Sequence, residues 1–94
     1  MAAYVLAEIE ITNPDGYKEY TQHVPATIAK YGGRFLVRGS KSEALEGASP
    51  KRMVLLEFPS YEQALKWYRS PEYAPLITLR QRASRGRLVL AEGV

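Results

Sequence analysis

The side chains best suited to chemistry are concentrated in one segment, from Glu57 to Tyr73. Glu57 closes an apolar strand, and a carboxylate at that point could act as a general base if burial raised its pKa towards neutrality. Trp67, Tyr68 and Tyr73 follow it, and flat aromatic side chains can stack on a flat aromatic ligand. The segment therefore indicates a site for a small aromatic or enolisable molecule.

Each of these residues also has a purely structural interpretation. Glu57 could instead pair with Arg38 on the neighbouring strand or accept hydrogen bonds from the backbone of the turn that follows. Helical spacing places Trp67 off the apolar stripe of its helix, whereas Tyr68 and Tyr73 face inward. All three aromatic side chains could simply fill the core or a subunit interface. The sequence leaves both interpretations open.

Arg80 is the most unusual charged residue, because helical spacing places it with Tyr73 on the face that should be buried. A buried guanidinium requires a carboxylate or an anionic ligand. Arg80 could therefore hold a ligand carboxylate, phenolate or enolate. Alternatively, it could extend its head to solvent or pair with a carboxylate of this chain, for which the candidates are Glu8, Glu57 and Glu72.

Two further residues complete the hypothesis of an enzyme. His23 lies at the edge of the apolar stripe of the first helix, and histidine is the usual proton carrier near pH 7. Without an evident carboxylate to orient it, the same histidine also fits a surface or capping role. In an enzyme, His23 or Glu57 would move a proton. Arg38 or Arg80 would stabilise the anion that results.

Composition excludes several classes of site. The 94 residues predict one small domain, 1–94, and the absence of cysteine rules out disulfides and thiolate metal sites. A single histidine argues against a zinc or iron centre, so we expect no metal and no cofactor. A net charge of only +3 and the lack of an arginine-and-aromatic pattern on a strand argue against a nucleic-acid partner. No signal peptide or membrane span is evident, which makes the cytoplasm the expected compartment.

The elements that must position these residues can be read from hydrophobic periodicity and capping signals. Strands are predicted from Tyr4 to Thr12, Arg34 to Arg38, Arg52 to Phe58 and Gly86 to Glu92. A helix begins at Asn13-Pro14-Asp15 and ends at Gly32-Gly33, with a kink or restart near Val24 because Pro25 interrupts it. A second helix is capped by Ser60, carries a stripe of Tyr61, Ala64, Leu65 and Tyr68, and restarts at Ser70-Pro71-Glu72. The loop from Gly39 to Lys51 contains a possible pairing segment, Ala44-Leu45-Glu46.

The order β-α-β-β-α-β is typical of the ferredoxin-like α+β fold, in which the helices cover one face of a four-stranded antiparallel sheet. The opposite face carries Leu6 and Leu36, together with parts of the third and fourth strands. This face is too apolar to remain in water. We therefore predict a homodimer that forms through the open sheet face.

Several motifs together resemble the bacterial domain-of-unknown-function family numbered 1330, over essentially the whole chain. They are the run from Tyr31 to Gly39, Leu45-Glu46-Gly47, Glu57-Phe58-Pro59-Ser60, the run from Trp67 to Tyr73, and Glu92-Gly93. That family is similar in fold to the dimeric α+β barrel superfamily, which includes cofactor-independent monooxygenases, isomerases, haem-degrading enzymes and stress-responsive proteins. The resemblance implies the ferredoxin-like fold and a dimer, but no reaction. Pro75 departs from the family pattern.

Three hypotheses follow. The chain could be a cofactor-independent oxygenase or isomerase of aromatic or enolisable compounds. It could bind a small anionic or aromatic metabolite in the same pocket without turnover. It could also be a structural or stress-related dimer whose polar residues only stabilise the fold. The first two hypotheses require a cavity at Arg80, whereas the third predicts that Arg80 is fully paired.

Overall fold

The computed structural model describes residues 1–48 and 51–94 and has the α+β, ferredoxin-like architecture that the sequence predicts. In chain order the elements are β1 (Ala3–Ile11), α1 (Pro14–Lys30), β2 (Arg34–Arg38), β3 (Arg52–Phe58), α2 (Tyr61–Tyr68), α3 (Ala74–Ala83) and β4 (Ser84–Glu92). The four strands form one antiparallel sheet in the order β2-β3-β1-β4. Residues 39–48 contain no strand, so the possible pairing segment at 44–46 is not part of the sheet. Ser49 and Pro50, in the same loop, lie outside the described residues.

The core lies between the helices and one face of the sheet. Strand alternation points Val5, Ala7 and Ile9 of β1 towards the helices, and all three are buried. From the helix side, Val24 and Ile28 of α1 pack in the same cluster. Burial of this apolar surface is the main force that holds the helices on the sheet.

The capping signals are confirmed at the starts of α1 and α2. The Asn13 side chain accepts a hydrogen bond from the Gly16 N–H (3.2 Å), and Ser60 Oγ accepts one from the Gln63 N–H (3.1 Å). The restart predicted at Ser70-Pro71-Glu72 lies later in the chain, because α3 begins at Ala74 and its N-cap residue, Tyr73, makes no side-chain cap hydrogen bond. The restart that Pro25 suggested is not observed, because α1 is a single helix from Pro14 to Lys30. Most helical stability comes from packing of an amphipathic face, and α1 buries residues on both sides of the proline.

The predicted buried stripe of α2 is wrong for its aromatic members. Tyr61 and Tyr68 are 37% and 38% exposed, whereas Trp67 is only 1% exposed. The indole ring lies between Phe58 and Tyr73, with centroid distances of 5.3 and 4.2 Å. The indole is the largest side chain of α2, and its burial between these two rings sets the rotation of the helix.

A β-bulge changes the orientation of the second half of β2. Phe35 opposes Leu56, but the register then shifts so that Val37 opposes Leu55 and Arg38 opposes Val54. Simple alternation had placed Arg38 on the open face of the sheet. The extra residue in the bulge reverses that assignment, since Val54 belongs to the helix-facing side. The side chain of Arg38 therefore lies on the helix-facing side of the sheet, where it remains exposed.

An ion pair connects the end of α1 to the turn before α3. Glu72 accepts hydrogen bonds from Lys30 Nζ and from the Tyr31 hydroxyl, the latter at 2.8 Å. The bonds from Lys30 and then Tyr31 are the largest causes that lower the pKa of Glu72, to about 2. The carboxylate is thus stabilised as the anion in the folded state.

We expect Glu72→Gln to lower the melting temperature at pH 7 and to have less effect as the pH falls. The folded-state pKa lies below the unfolded value of 4.5, so Glu72 contributes stability above pH 4.5 that is lost as the pH falls towards 2. Thermal melts of both proteins between pH 2.5 and 7 measure this. Glu19→Gln makes the same charge change at an exposed position of α1 and serves as the control. A Glu72→Gln effect that is constant across this pH range would contradict the assignment.

Candidate functional site

A cavity lies between α1, α3 and the helix-facing side of the sheet. Its walls are mostly apolar, with Val5 and Ile9 from β1 and Leu56 from β3 among them. The cavity has a volume of about 40 Å³, which corresponds to about three water molecules. Three arginines also line this space, namely Arg38, Arg52 and Arg80, and we call it the arginine cavity.

The three arginines come from three different elements. Arg38 ends β2, where the bulge directs it inward, and its guanidinium carbon lies 4.4 Å from the centroid of the Phe35 ring. Arg52 begins β3, with its guanidinium carbon 5.6 Å from the centroid of the Tyr17 ring. Arg80 lies in the last turn of α3. Both ring contacts are favourable cation–π geometries that hold positive charge at the cavity.

Arg80 is buried, as its helical position predicted, with 7% of its surface exposed. Its Nε is shielded from solvent, and no group in the described part of the chain accepts a hydrogen bond from it. The Nε of Arg52 is also shielded from solvent and also has no acceptor in that part of the chain. Two guanidinium donors at one cavity thus have no acceptor from residues 1–48 or 51–94. Leaving a buried donor unsatisfied costs about 1–3 kcal/mol, and more for a charged group.

The carboxylates that might have neutralised Arg80 pair with other residues. Glu57 bonds to Arg34 on the open face of the sheet, at 2.7 Å. Glu8 bonds to Arg87, also on that face, at 2.8 Å. Glu72 is held by Lys30, as described above. The interpretation of Arg80 as the partner of one of these three carboxylates is therefore wrong, and so is the pairing of Glu57 with Arg38.

Two buried tyrosines lie beside Arg80. The hydroxyls of Tyr20 and Tyr73 are 2.7 Å apart and share a hydrogen bond. Burial is the largest cause that raises the pKa of both phenols, and the charge of Arg80 opposes it in each case. Both phenols therefore stay neutral at pH 7. They offer hydroxyl hydrogen bonds and no negative charge to compensate the guanidinium.

The structure brings together some of the residues that the sequence singled out, and separates others. Arg38, Trp67 and Arg80 line the arginine cavity. Tyr73 lies behind it and contacts the lining residue Tyr20. Tyr68 lines a different apolar groove, between α2 and β4.

The two residues proposed to move a proton lie elsewhere. His23 is exposed on α1, and Glu57 bonds to Arg34 on the open face of the sheet. Trp67 reaches the cavity with its ring only, because its Nε1–H donates to Thr27 Oγ1 at 3.0 Å.

Sequence reasoning missed Arg52 and the polar lining residues Tyr17, Tyr20 and Thr21. A signal for Arg52 was present, since strict alternation along β3 places it on the same face as Val54. The close approach of Gly39, where an added Cβ would lie 2.4 Å from the Arg52 guanidinium carbon, depends on tertiary structure and left no such signal.

The charge of the lining residues decides what the arginine cavity can do. It carries three cations, and none of its described lining residues is a carboxylate or a histidine. Such a site can bind an anion or stabilise one that forms on a bound molecule. Within residues 1–48 and 51–94, no group of three or more histidine, aspartate or glutamate side chains could hold a metal ion. No helix in the described ranges is long and apolar enough to cross a membrane.

Comparison with family profiles decides where the chain belongs. The profile of DUF1330, a domain of unknown function, matches residues 2–94. The chain belongs to the DUF1330 family. Comparison with curated proteins found no match for it.

Solved structures show that this DUF1330 protein shares its fold with several others. One is a protein of unknown function from Rhodopseudomonas palustris, with a TM-score of 0.76 and 19% identity over 99% of this chain and 82% of that chain. Another is SnoaB, a cofactor-independent oxygenase from Streptomyces nogalater, with a TM-score of 0.64 and 12% identity over 99% and 92%. A third is an antibiotic biosynthesis monooxygenase, with a TM-score of 0.55 and 14% identity over 100% and 99%. At these identities the likeness concerns the fold.

Proposed function

We propose that this DUF1330 protein binds a small organic anion in the arginine cavity. The observation that carries the proposal is the buried guanidinium of Arg80, whose Nε has no acceptor in the described chain and which lines a cavity without carboxylates. A bound carboxylate, phenolate or enolate would supply the compensating charge for the guanidinium. Charge-assisted hydrogen bonds of this kind are roughly twice as strong as neutral ones.

The size and lining of the cavity restrict the ligand. The cavity volume of about 40 Å³ accommodates an anionic group with a few carbon atoms. The remainder of a larger ligand would extend towards Arg38, which is exposed. The apolar walls and the edge of the Trp67 ring favour a flat or aliphatic body over a strongly polar one. Small aromatic and aliphatic carboxylates fit this description.

A catalytic role is the second candidate, and two observations favour it. The arginines are placed to stabilise an enolate or phenolate as it forms, and the fold is similar to that of a cofactor-independent oxygenase. His23 and Glu57 lie outside the cavity, so proton transfer through either would require a substrate that extends well beyond the enclosed space. Oxygen consumption with phenols and enolisable ketones separates catalysis from binding.

The third candidate is a structural or stress-related dimer without a ligand. In that case the arginines would serve only to pack the space between α1 and the sheet. Unpartnered buried guanidinium donors argue against this reading, because they lower stability unless a ligand compensates them.

The open face of the sheet supports the proposal that the protein is a homodimer. Leu6 opposes Leu55 on β3 and Val89 on β4, so one apolar row crosses three strands. Leu36 and Val89 are 42% and 44% exposed. Two such faces packed together would remove this row from water.

We expect size-exclusion chromatography with light scattering to give twice the mass of one chain at micromolar concentration. Leu6→Lys places a charge in the centre of the apolar row and is expected to lower that mass to one chain. Leu45→Lys, at a residue 89% exposed in the loop after β2, is the matched control. A monomeric wild-type protein would overturn the homodimer.

A thermal-shift titration tests the proposed function directly. A ligand that binds the native state stabilises it by mass action, so the melting temperature should rise with concentration of benzoate, salicylate or butyrate. Benzamide, the neutral counterpart of benzoate, should produce a much smaller rise. The absence of any rise up to millimolar concentrations of these anions would contradict the proposal.

A further inference from the structure

The charges of the arginine cavity indicate the number of anionic groups on its ligand. Resting on the function proposed above, we infer that the ligand is a dianion, with one anionic group held by Arg80 and the other by Arg52 together with Arg38. A dicarboxylate with a short apolar spacer is the simplest molecule of this class.

Two separate donors each require an acceptor. The Nε atoms of Arg52 and Arg80 are both shielded from solvent, and neither has an acceptor within residues 1–48 and 51–94. One belongs to the first residue of β3 and the other to the last turn of α3. Because they come from different elements, the two donors are independent of one another.

The tyrosines of α1 mark two neighbouring positions along the cavity wall. The Arg52 guanidinium lies against the ring of Tyr17, whereas Arg80 comes from α3 and lines the cavity with Tyr20. Tyr17 and Tyr20 are three residues apart on α1, and their ring centroids are 5.4 Å apart. The two guanidiniums therefore lie beside successive positions along one helix face. Two anionic groups joined by a few carbon atoms match this arrangement.

Charge balance also favours a dianion over a monoanion as the ligand. A monoanion would compensate one guanidinium and leave the other without a counter-charge in a mostly apolar space, which is unfavourable. A dianion would satisfy both. Arg38, which is exposed, adds a third positive charge on the same side of the sheet as Arg52 and favours the second anionic group.

Isothermal titration calorimetry at pH 7.5 with matched pairs tests the inference. The pairs are benzoate with isophthalate and butyrate with succinate, and each differs by one carboxylate. We expect the dianion of each pair to bind the wild-type protein about tenfold more tightly or better. In Arg52→Met the preference should fall to about twofold or less, since the second group loses its partner. Arg52→Lys, which keeps the charge but loses the Nε donor, should give an intermediate ratio and covers the case in which Arg52→Met does not fold.

Arg82→Met is the matched control, because Arg82 is exposed on α3 and its loss lowers the net charge by the same amount. It should retain the full dianion preference. Equal affinity for monoanions and dianions in the wild-type protein would overturn this inference and leave the proposed function intact. Failure of every ligand to bind would overturn both. Loss of the preference in Arg82→Met would show that overall charge, and not Arg52, produces it.

Discussion

Replacing Arg80 with methionine is expected to weaken the binding of small carboxylates by about 30- to 700-fold, while the unliganded protein becomes more stable. Removal of one charged partner from a buried pair costs about 2–4 kcal/mol in affinity, which corresponds to that range. The unliganded protein should gain about 1 kcal/mol, because methionine fills similar space without a donor that lacks an acceptor. Calorimetric titration and chemical denaturation of the same samples measure the two effects.

The opposite signs of the two effects distinguish a ligand site from a structural arginine. A structural Arg80 would predict a loss of stability in Arg80→Met, as for any broken buried pair. Arg82→Met, at an exposed position two residues further along α3, should change neither quantity appreciably. A clear fall in the stability of Arg80→Met with unchanged affinity would rule out the proposed role.

Replacing Trp67 with alanine is expected to reduce the free energy of unfolding by about 3–5 kcal/mol. The side chain is 1% exposed and lies against the rings of Phe58 and Tyr73, and its N–H bonds to Thr27. That loss is a large part of the stability of a typical small domain, about 5–15 kcal/mol. Urea denaturation followed by circular dichroism measures it.

Two matched variants separate the contributions to this loss of unfolding free energy. Trp67→Phe keeps an aromatic ring but removes the bond to Thr27, so it should cost about 1–2 kcal/mol. Tyr68→Ala changes the neighbouring aromatic residue, which is 38% exposed, and should cost clearly less than Trp67→Ala. Equal losses for Tyr68→Ala and Trp67→Ala would contradict the observed rotation of α2.

The fold was predictable because its signals are local. Alternation identified the four strands, and the caps at Asn13 and Ser60 identified two helix starts. Arg80 was also predictable as a buried cation, because helical spacing places it on the same face as Tyr73 and Leu76, which are both buried. These features depend on residues close together in the chain.

The composition of the site was less predictable because it depends on contacts between distant residues. The bulge that turns Arg38 inward is a property of the pairing of β2 with β3, and simple alternation gives the opposite face. The rotation of α2 is set by the fit of Trp67 between two rings and by Thr27, forty residues away. An eight-residue helix has too few turns for its periodicity to decide between neighbouring faces.

The ¹⁵N-HSQC spectrum of the arginine Nε–H groups during titration with isophthalate tests most directly whether an anion binds at Arg80 and Arg52. Spectra of Arg80→Met and Arg52→Met assign the two resonances by their absence. We expect the Nε–H signals of Arg80 and Arg52 to shift together and to saturate at the concentration found by calorimetry, since an anionic group then lies against each guanidinium. Binding of isophthalate with an unmoved Arg80 Nε–H signal would contradict the claim that this buried guanidinium is the anion site.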